Sequence, residues 1–244
     1  MALRITDVSA DAILLAGGAR AILLQLANPG VAAAVARHSD FAERPLDRLH
    51  GTLTYLYVTV YGTPDEARAV AREVGRAHAP VPGASDAGLQ LWVAATLYDT
   101  AMRVRELAYG PLADDDAEAL LADYAVVGTA LGVPRGSWPA GRAAFDEYWN
   151  GAALAVGDDA REVATALLHA RNVPVWMRAL LPTVRLLTAG LLSPELRQAY
   201  GLRLDERAYA RLVRGLRAVY PRLPRAVRQA PMRRYLRAFR ARKG

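Results

Sequence analysis

Residues 49–63 read LHGTLTYLYVTVYGT, a run without a single charged side chain. Leu49, Leu53, Leu56 and Val60 recur at helical spacing, and a helix that lacks a charged face is normally a buried one. The same run carries His50, Thr52, Thr54, Tyr55, Tyr57, Thr59 and Tyr61. Inside a core each of these needs a partner, because an unpaired buried polar group costs about 1–3 kcal/mol. Arg48, Thr52, Tyr55 and Thr59 follow an i, i+4, i+7, i+11 spacing and so form one polar stripe beside the apolar seam. A solvated stripe usually mixes charges of both signs, and this one has no acid. Its partner is either another side chain or a ligand.

Outward from this segment the pattern stays helical. Asn28-Pro29, Thr63-Pro64 and Ser193-Pro194 each place a capping side chain before a proline at the first helical position. The spacing predicts helices over 10–16, 18–27, 29–38, 45–61, 64–79, 87–109, 114–131, 139–154, 158–170, 174–191, 194–200, 205–219 and 231–241. No segment alternates with period two long enough to make a strand. The chain of 244 residues has no internal repeat or low-complexity linker, so the expectation is an all-α, single-domain helical bundle of ten or more helices.

Composition removes several chemistries. Cysteine is absent, which excludes disulfides, thiolate metal sites and cysteine nucleophiles. The first residues lack a long apolar stretch or a small-residue cleavage site, and the longest uncharged runs are broken by Pro29 or crowded with polar side chains. Neither matches a membrane span of about 20 apolar residues, so a soluble, cytoplasmic protein is expected. The net charge of +7 is unevenly placed: residues 203–243 hold 14 Arg or Lys against two acids, a balance of +12 that leaves −5 elsewhere. Thirty of the 31 basic residues are arginine, a bias that a GC-rich bacterial genome produces without functional cause.

Standard catalytic signatures are missing. There is no Glu-x-x-His or His-Glu-x-x-His for a carboxylate-bridged or zinc site, no G-x-S-x-G, and no dinucleotide or P-loop glycine pattern. Gly17-Gly18 reads as a break between helices. His38, Ser39 and Asp40 are consecutive, and consecutive side chains diverge, so they make no triad by themselves. Asp114, Asp115, Asp116 and Glu118 sit at a helix start, where carboxylates oppose the macrodipole and act as a solvated cap. His78 falls in register with Val74 and Val81 on an apolar face, where a lone histidine is more often structural than a ligand. In the basic tail, Tyr209, Leu212, Val213, Leu216 and Tyr220 form an apolar face that would dock on the bundle and leave the arginines wet. No nucleic-acid-binding pattern accompanies them, which argues against nucleic acid, although peripheral membrane contact through this segment stays open.

Between Leu14 and Asn150 the chain resembles the family of the latex-clearing protein, a rubber oxygenase, and the MpaB-type oxygenases. The resemblance rests on Gly17-Gly18-Ala19-Arg20-Ala21 with Leu24-Gln25-Leu26, and on Pro29-Gly30-Val31-Ala32 leading to His38-Ser39-Asp40-Phe41. It continues in Arg48-Leu49 with Thr52, His78, Leu91-Trp92-Val93, Ala95-Thr96-Leu97 and Leu131-Gly132-Val133-Pro134. It implies an all-α, partly globin-like fold that holds one haem b, with His78 as axial ligand to the iron and with Arg48 and Thr52 on the haem pocket. Leu49, Tyr55 and Trp92 would wall that pocket for a small apolar organic substrate used with dioxygen, with His50 nearby. Three positions depart from the family pattern: Gly51 replaces a basic residue before the threonine, Asn28 replaces a histidine before proline, and Ala94 replaces a histidine in the tryptophan-containing helix.

The first reading is therefore a haem b-dependent oxygenase or oxidase. A second keeps the fold without the haem, as a cofactor-free cyclase or isomerase whose polar stripe supplies acid and base groups. A third, of a different class, is a non-catalytic protein that binds an acidic partner through its C-terminal arginines.

Overall fold

A computed structural model describes residues 2–38, 45–170 and 173–242. Helices α1 to α14 span Ile5–Val8, Gly18–Leu26, Pro29–His38, Pro45–Tyr61, Pro64–His78, Ala87–Tyr109, Asp114–Thr129, Arg142–Asn150, Asp158–Leu168, Val175–Leu191, Pro194–Ala199, Glu206–Val219, Arg225–Arg228 and Ala230–Ala241, with short 3-10 turns at Ala12–Gly17, Arg135–Ser137 and Tyr220–Arg222. Among the described residues there is no strand, and the fold is all-α as expected. The three predicted caps form. Asn28 Oδ1 accepts from the amides of Gly30 and Val31, Ser193 Oγ accepts from Leu196, and Thr63 makes a reciprocal capping box with Glu66.

Some expectations are corrected. The segment predicted as a helix over 10–16 is a 3-10 turn, and the helix predicted over 139–154 is confined to Arg142–Asn150 because Gly141 and Gly151 bound it. The short α1 and α13 were not expected. Gly17 is more than a break: a Cβ there would lie 2.5 Å from Thr100 Cγ2, so the absent side chain lets the turn press against α6.

The long α6 runs through the centre and is buried nearly all round between Leu91 and Val104, which explains its lack of a clear polar face. On one side of it Tyr55, Val58, Val70, Ala95, Tyr98, Leu120, Tyr124, Phe145 and Phe239 join α4, α5, α7, α8 and α14 in the larger core. On the other, Leu23, Leu24 and Leu26 of α2 pack with Ala160, Ala164 and Leu168 of α9 and with Leu192 and Tyr200. One polar group spans the helices between these cores. Arg20 of α2, 4% exposed, pairs with Asp99 of α6 at 2.6 Å, donates to Thr100 Oγ1 at 2.7 Å and donates to the Leu191 carbonyl of α10 at 2.8 Å. Burial pulls the Arg20 pKa down while the Asp99 carboxylate opposes that pull.

The C-terminal segment docks through its apolar face, as its spacing suggests. Tyr209 lies where any side chain at Gly190 would stand, the ring being 2.2 Å from a Cβ built there. Tyr220 donates to Asp11, which also accepts from Tyr109 at 2.5 Å and Arg228 at 3.1 Å. Further along, Leu236 and Phe239 are buried and Arg240 clasps Glu66 at 2.8 and 3.1 Å. The acidic start of α7 is likewise more than a solvated cap: Asp116 accepts from the Leu3 amide, and Asp114 and Glu118 hold Arg142. Among the described residues no single helix is long and apolar enough to cross a membrane, and one sharply bent pair, Ala12–Leu26 with Pro29–Val35, passes by length and composition.

Two outcomes follow. Asp99→Ala leaves the Arg20 charge buried without its partner and should destabilise the fold by about 3–5 kcal/mol, lowering the Tm by on the order of 10 °C. An unchanged melting curve would remove Arg20 from its central role. The Glu66 carboxyl is held down to about 2, first by the Arg240 hydrogen bond and then by the Thr63 amide. A depressed carboxylate stabilises above its ordinary value of 4.5 and loses that contribution as pH falls through about 2. Hydrogen-exchange protection of α14 should decline over that window in the wild type. In Glu66→Gln it should be lower at neutral pH and flat across the window.

Candidate functional site

Helices α4 and α5 form a tight antiparallel hairpin whose turn is fixed by the Thr63 box, and this brings the start of α4 beside the end of α5. Arg48 and His78 lie there, near enough for the Arg48 cation to act on the imidazole. His78 is half-buried, and its pKa is pulled below the ordinary 6.5, by burial first and by the Arg48 cation second. Arg48 is exposed as a residue, yet enough protein surrounds its guanidinium for partial desolvation to lower its pKa, although a guanidinium remains charged at any physiological pH. The pair thus presents a neutral imidazole next to a fixed cation. Thr52 stands one turn beyond Arg48 on the same stripe and is exposed.

The stripe divides at this point. Its first half, Arg48 and Thr52, is exposed, whereas Tyr55 and Thr59 are buried, Tyr55 against α7. The uncharged run of α4 is therefore buried over only part of its length. Residues 39–44, which include Ser39, Asp40 and Phe41 of the sequence motif, lie outside the described residues. Tyr55 donates its hydroxyl to the Val127 carbonyl, and burial pushes its pKa well above the ordinary phenol value. It serves the α4–α7 contact and presents no proton to an open site. Thr59 lies near enough to lower that pKa against burial, yet its hydroxyl makes no hydrogen bond of good geometry among the described residues.

The remaining candidates lie apart from the pair. His50 is on the α14 side of α4, its ring 5.9 Å from that of Tyr235. Trp92 donates to the Leu24 carbonyl at 3.1 Å and stacks on Trp149 at 5.2 Å. It floors a different cleft of about 450 Å³, lined also by Asn28, Asp86, Leu89 and Tyr148. A pocket walled jointly by Leu49, Tyr55 and Trp92 is not what the packing shows, because Tyr55 and Trp92 are taken up by α7 and α2.

The three departures from the family pattern have local explanations. Among the described residues a side chain at Gly51 would meet nothing within 4 Å, so nothing in their packing demands glycine there. Asn28 is used as the α3 cap. Ala94 is 3% exposed, and its Cβ would lie 3.3 Å from a Cβ built on Gly128, so α6 and α7 approach too closely at this point for an imidazole without rearrangement.

A haem asks the protein for an axial nitrogen, and the half-buried, neutral His78 is a suitable donor. Cβ atoms built on Gly51 and Gly75, one turn from Arg48 and His78 respectively, meet no heavy atom within 4 Å among the described residues, and both glycines are exposed, so these two helix faces open to solvent beside the pair. By donor chemistry the residues fit the group. Among the described residues no cluster of three or more His, Asp or Glu could hold a bare metal ion.

An all-α domain with an imidazole–guanidinium pair at one helical hairpin is the class that fold and site define. Residues 6–219 match the family described as "ER-bound oxygenase mpaB/B'/Rubber oxygenase, catalytic domain". The chain belongs to that family, and the match extends in both directions beyond the stretch that carries the sequence resemblance. Two mycobacterial relatives, the uncharacterized proteins Mb2261 of Mycobacterium bovis and Rv2237 of Mycobacterium tuberculosis, are each 35% identical over 192 residues, covering 72% of this chain and 75% of theirs. No solved structure gives a significant match.

Sequence reasoning missed Arg20, Asp99 and Asp11. Arg20 lies inside a quoted motif, but only its burial reveals its purpose. An arginine amid Gly17-Gly18-Ala19 and Ala21-Ile22-Leu23-Leu24 was the available signal, since a lone charge in an apolar helix needs a buried counter-ion.

Arg48→Gln should raise the His78 pKa toward 6.5 without reaching it, because burial is the larger cause. In the wild type the lowered pKa makes protonation of His78 oppose folding, a penalty that begins as pH falls below about 6.5. Titration of the His78 ring proton by NMR in both proteins checks this, and identical curves would mean that the two side chains do not interact.

Proposed function

We propose that this protein is a haem b-dependent oxygenase or oxidase acting on an apolar or unsaturated organic substrate with dioxygen. Membership of an oxygenase family supports the general activity. The observation that carries the finer reading is the Arg48–His78 pair, in which burial and a neighbouring cation lower the pKa of an imidazole, favouring its neutral form beside exposed helix faces.

When bound, the haem would supply the redox-active iron at which dioxygen is activated. His78 would hold the group by its unprotonated ring nitrogen. Arg48 cannot surrender its proton at working pH, so its part is electrostatic: it attracts a carboxylate of the cofactor or steadies negative charge near it. The Thr52 hydroxyl, exposed on the same stripe, can donate or accept one hydrogen bond to a polar atom placed over the pair. Tyr55 stays outside the chemistry, closing the floor of the stripe with its hydroxyl spent on Val127.

Hemin titration of the purified protein, followed in the visible spectrum, tests the reading. Wild type should show a saturable Soret band that shifts on reduction with dithionite, and Arg48→Gln should bind hemin about tenfold more weakly, the usual order for one lost charge-assisted contact. Folded protein that gives no band at saturating hemin would overturn the haem assignment.

A further inference from the structure

The first half of α10 is an apolar helix face that no other described element covers. Val175, Trp176 and Leu180 are 71%, 63% and 51% exposed, whereas beyond Pro182 the same helix buries Leu187, Thr188, Ala189 and Leu191. Trp176 and Leu180 follow i, i+4, with Val175 and Ala179 alongside, so the exposed apolar groups of the half-helix are contiguous. Scattered apolar residues on a surface need no explanation; a contiguous stripe that includes a tryptophan does.

The charge of the half-helix bears on what covers it. Arg178 is exposed on it, the half-helix itself carries no acid, and in sequence no Asp or Glu occurs between Glu162 and Glu195. A second copy of the chain would set this half-helix against itself, bringing Arg178 toward Arg178 with no acid on the half-helix to pair with either. Nucleic acid would meet the arginine but leave valine, tryptophan and leucine without an apolar counterpart. An anionic bilayer surface answers both features, since it offers phosphates at the headgroup level and hydrocarbon just beneath, the depth at which tryptophan settles.

We propose that the N-terminal half of α10 docks peripherally on anionic phospholipid membranes, with Val175, Trp176 and Leu180 at the headgroup–acyl boundary and Arg178 on the phosphates. The contact lies on a helix remote in sequence from Arg48 and His78 and does not depend on haem binding. It also differs from a contact through the C-terminal arginines, because it requires the apolar stripe.

The test is vesicle flotation of the full chain with phosphatidylcholine vesicles, with and without phosphatidylglycerol, compared with Trp176→Ser/Leu180→Ser, Arg178→Glu and Arg225→Glu/Arg233→Glu. Both serine positions are exposed, so unchanged circular dichroism is expected and confirms that the variant is folded. Wild type should float with the phosphatidylglycerol vesicles and bind phosphatidylcholine alone far more weakly. The serine variant should bind about tenfold or more weakly, Arg178→Glu should also lose affinity, and the C-terminal variant should keep most of it. Brominated lipid should quench Trp176, the most exposed tryptophan of the four. Absence of wild-type binding would overturn the proposal. So would binding that survives in the serine variant but not in the C-terminal variant, or sedimentation that shows a dimer dissociated by the serine substitutions without any vesicle binding.

Discussion

A buried guanidinium with three helices around it is the constraint on which the rest of the structure depends. Arg20 leaves α2, reaches the carboxylate of Asp99 and the hydroxyl of Thr100 on α6, and satisfies the Leu191 carbonyl of α10. Removing such a charge from water costs several kcal/mol unless its partners are placed well, so helix arrangements that leave Arg20 without them are disfavoured. Hydrophobic contact alone would leave α2 free to slide along α6. The ion pair fixes the register, and the absence of a side chain at Gly17 allows the approach. With α6 so placed, α7 packs along it through Ala94 and Gly128, α4 docks on α7 through Tyr55, and the α4–α5 hairpin follows. The positions of Arg48 and His78 are the last consequence of that chain of contacts.

At the hairpin, polar groups from a single helical stripe have two fates. Those toward the C-terminal end of α4 enter the core, and Tyr55 is satisfied by backbone. Those at the N-terminal end remain exposed, where a half-buried imidazole and a guanidinium influence each other. A cation next to histidine is unfavourable for a protonated ring and favourable for one that must offer a lone pair. The same juxtaposition that makes His78 a poor base at acidic pH makes it a ready ligand at neutral pH.

Much of the fold was legible because helices announce themselves locally. Asn28, Thr63 and Ser193 cap where their prolines say they should, and the apolar spacing of α4 to α7 gives those helices within a few residues. The 3-10 turn at residues 12–17 was not legible, since its geometry is imposed by close approach to Thr100, far away in sequence. The candidate site was legible only in part. Spacing put Arg48, Thr52 and Tyr55 on one stripe, but it carries no information on which elements cover each half. Trp92 was drawn into the same pocket by its place in a motif, whereas packing gives it to Leu24 and Trp149. The Arg20–Asp99 pair, joining residues 79 apart, is invisible to any local reading because the match is made by the tertiary fold.

The central proposal is that His78 would present a neutral nitrogen to a haem iron, and chemical rescue tests it most directly. His78→Gly should fold, lose the low-energy features of a histidine-ligated spectrum after hemin addition, and regain them when free imidazole is supplied. A His78→Gly protein whose spectrum matches the wild type without imidazole would contradict the account, because the iron would then be held by some other residue.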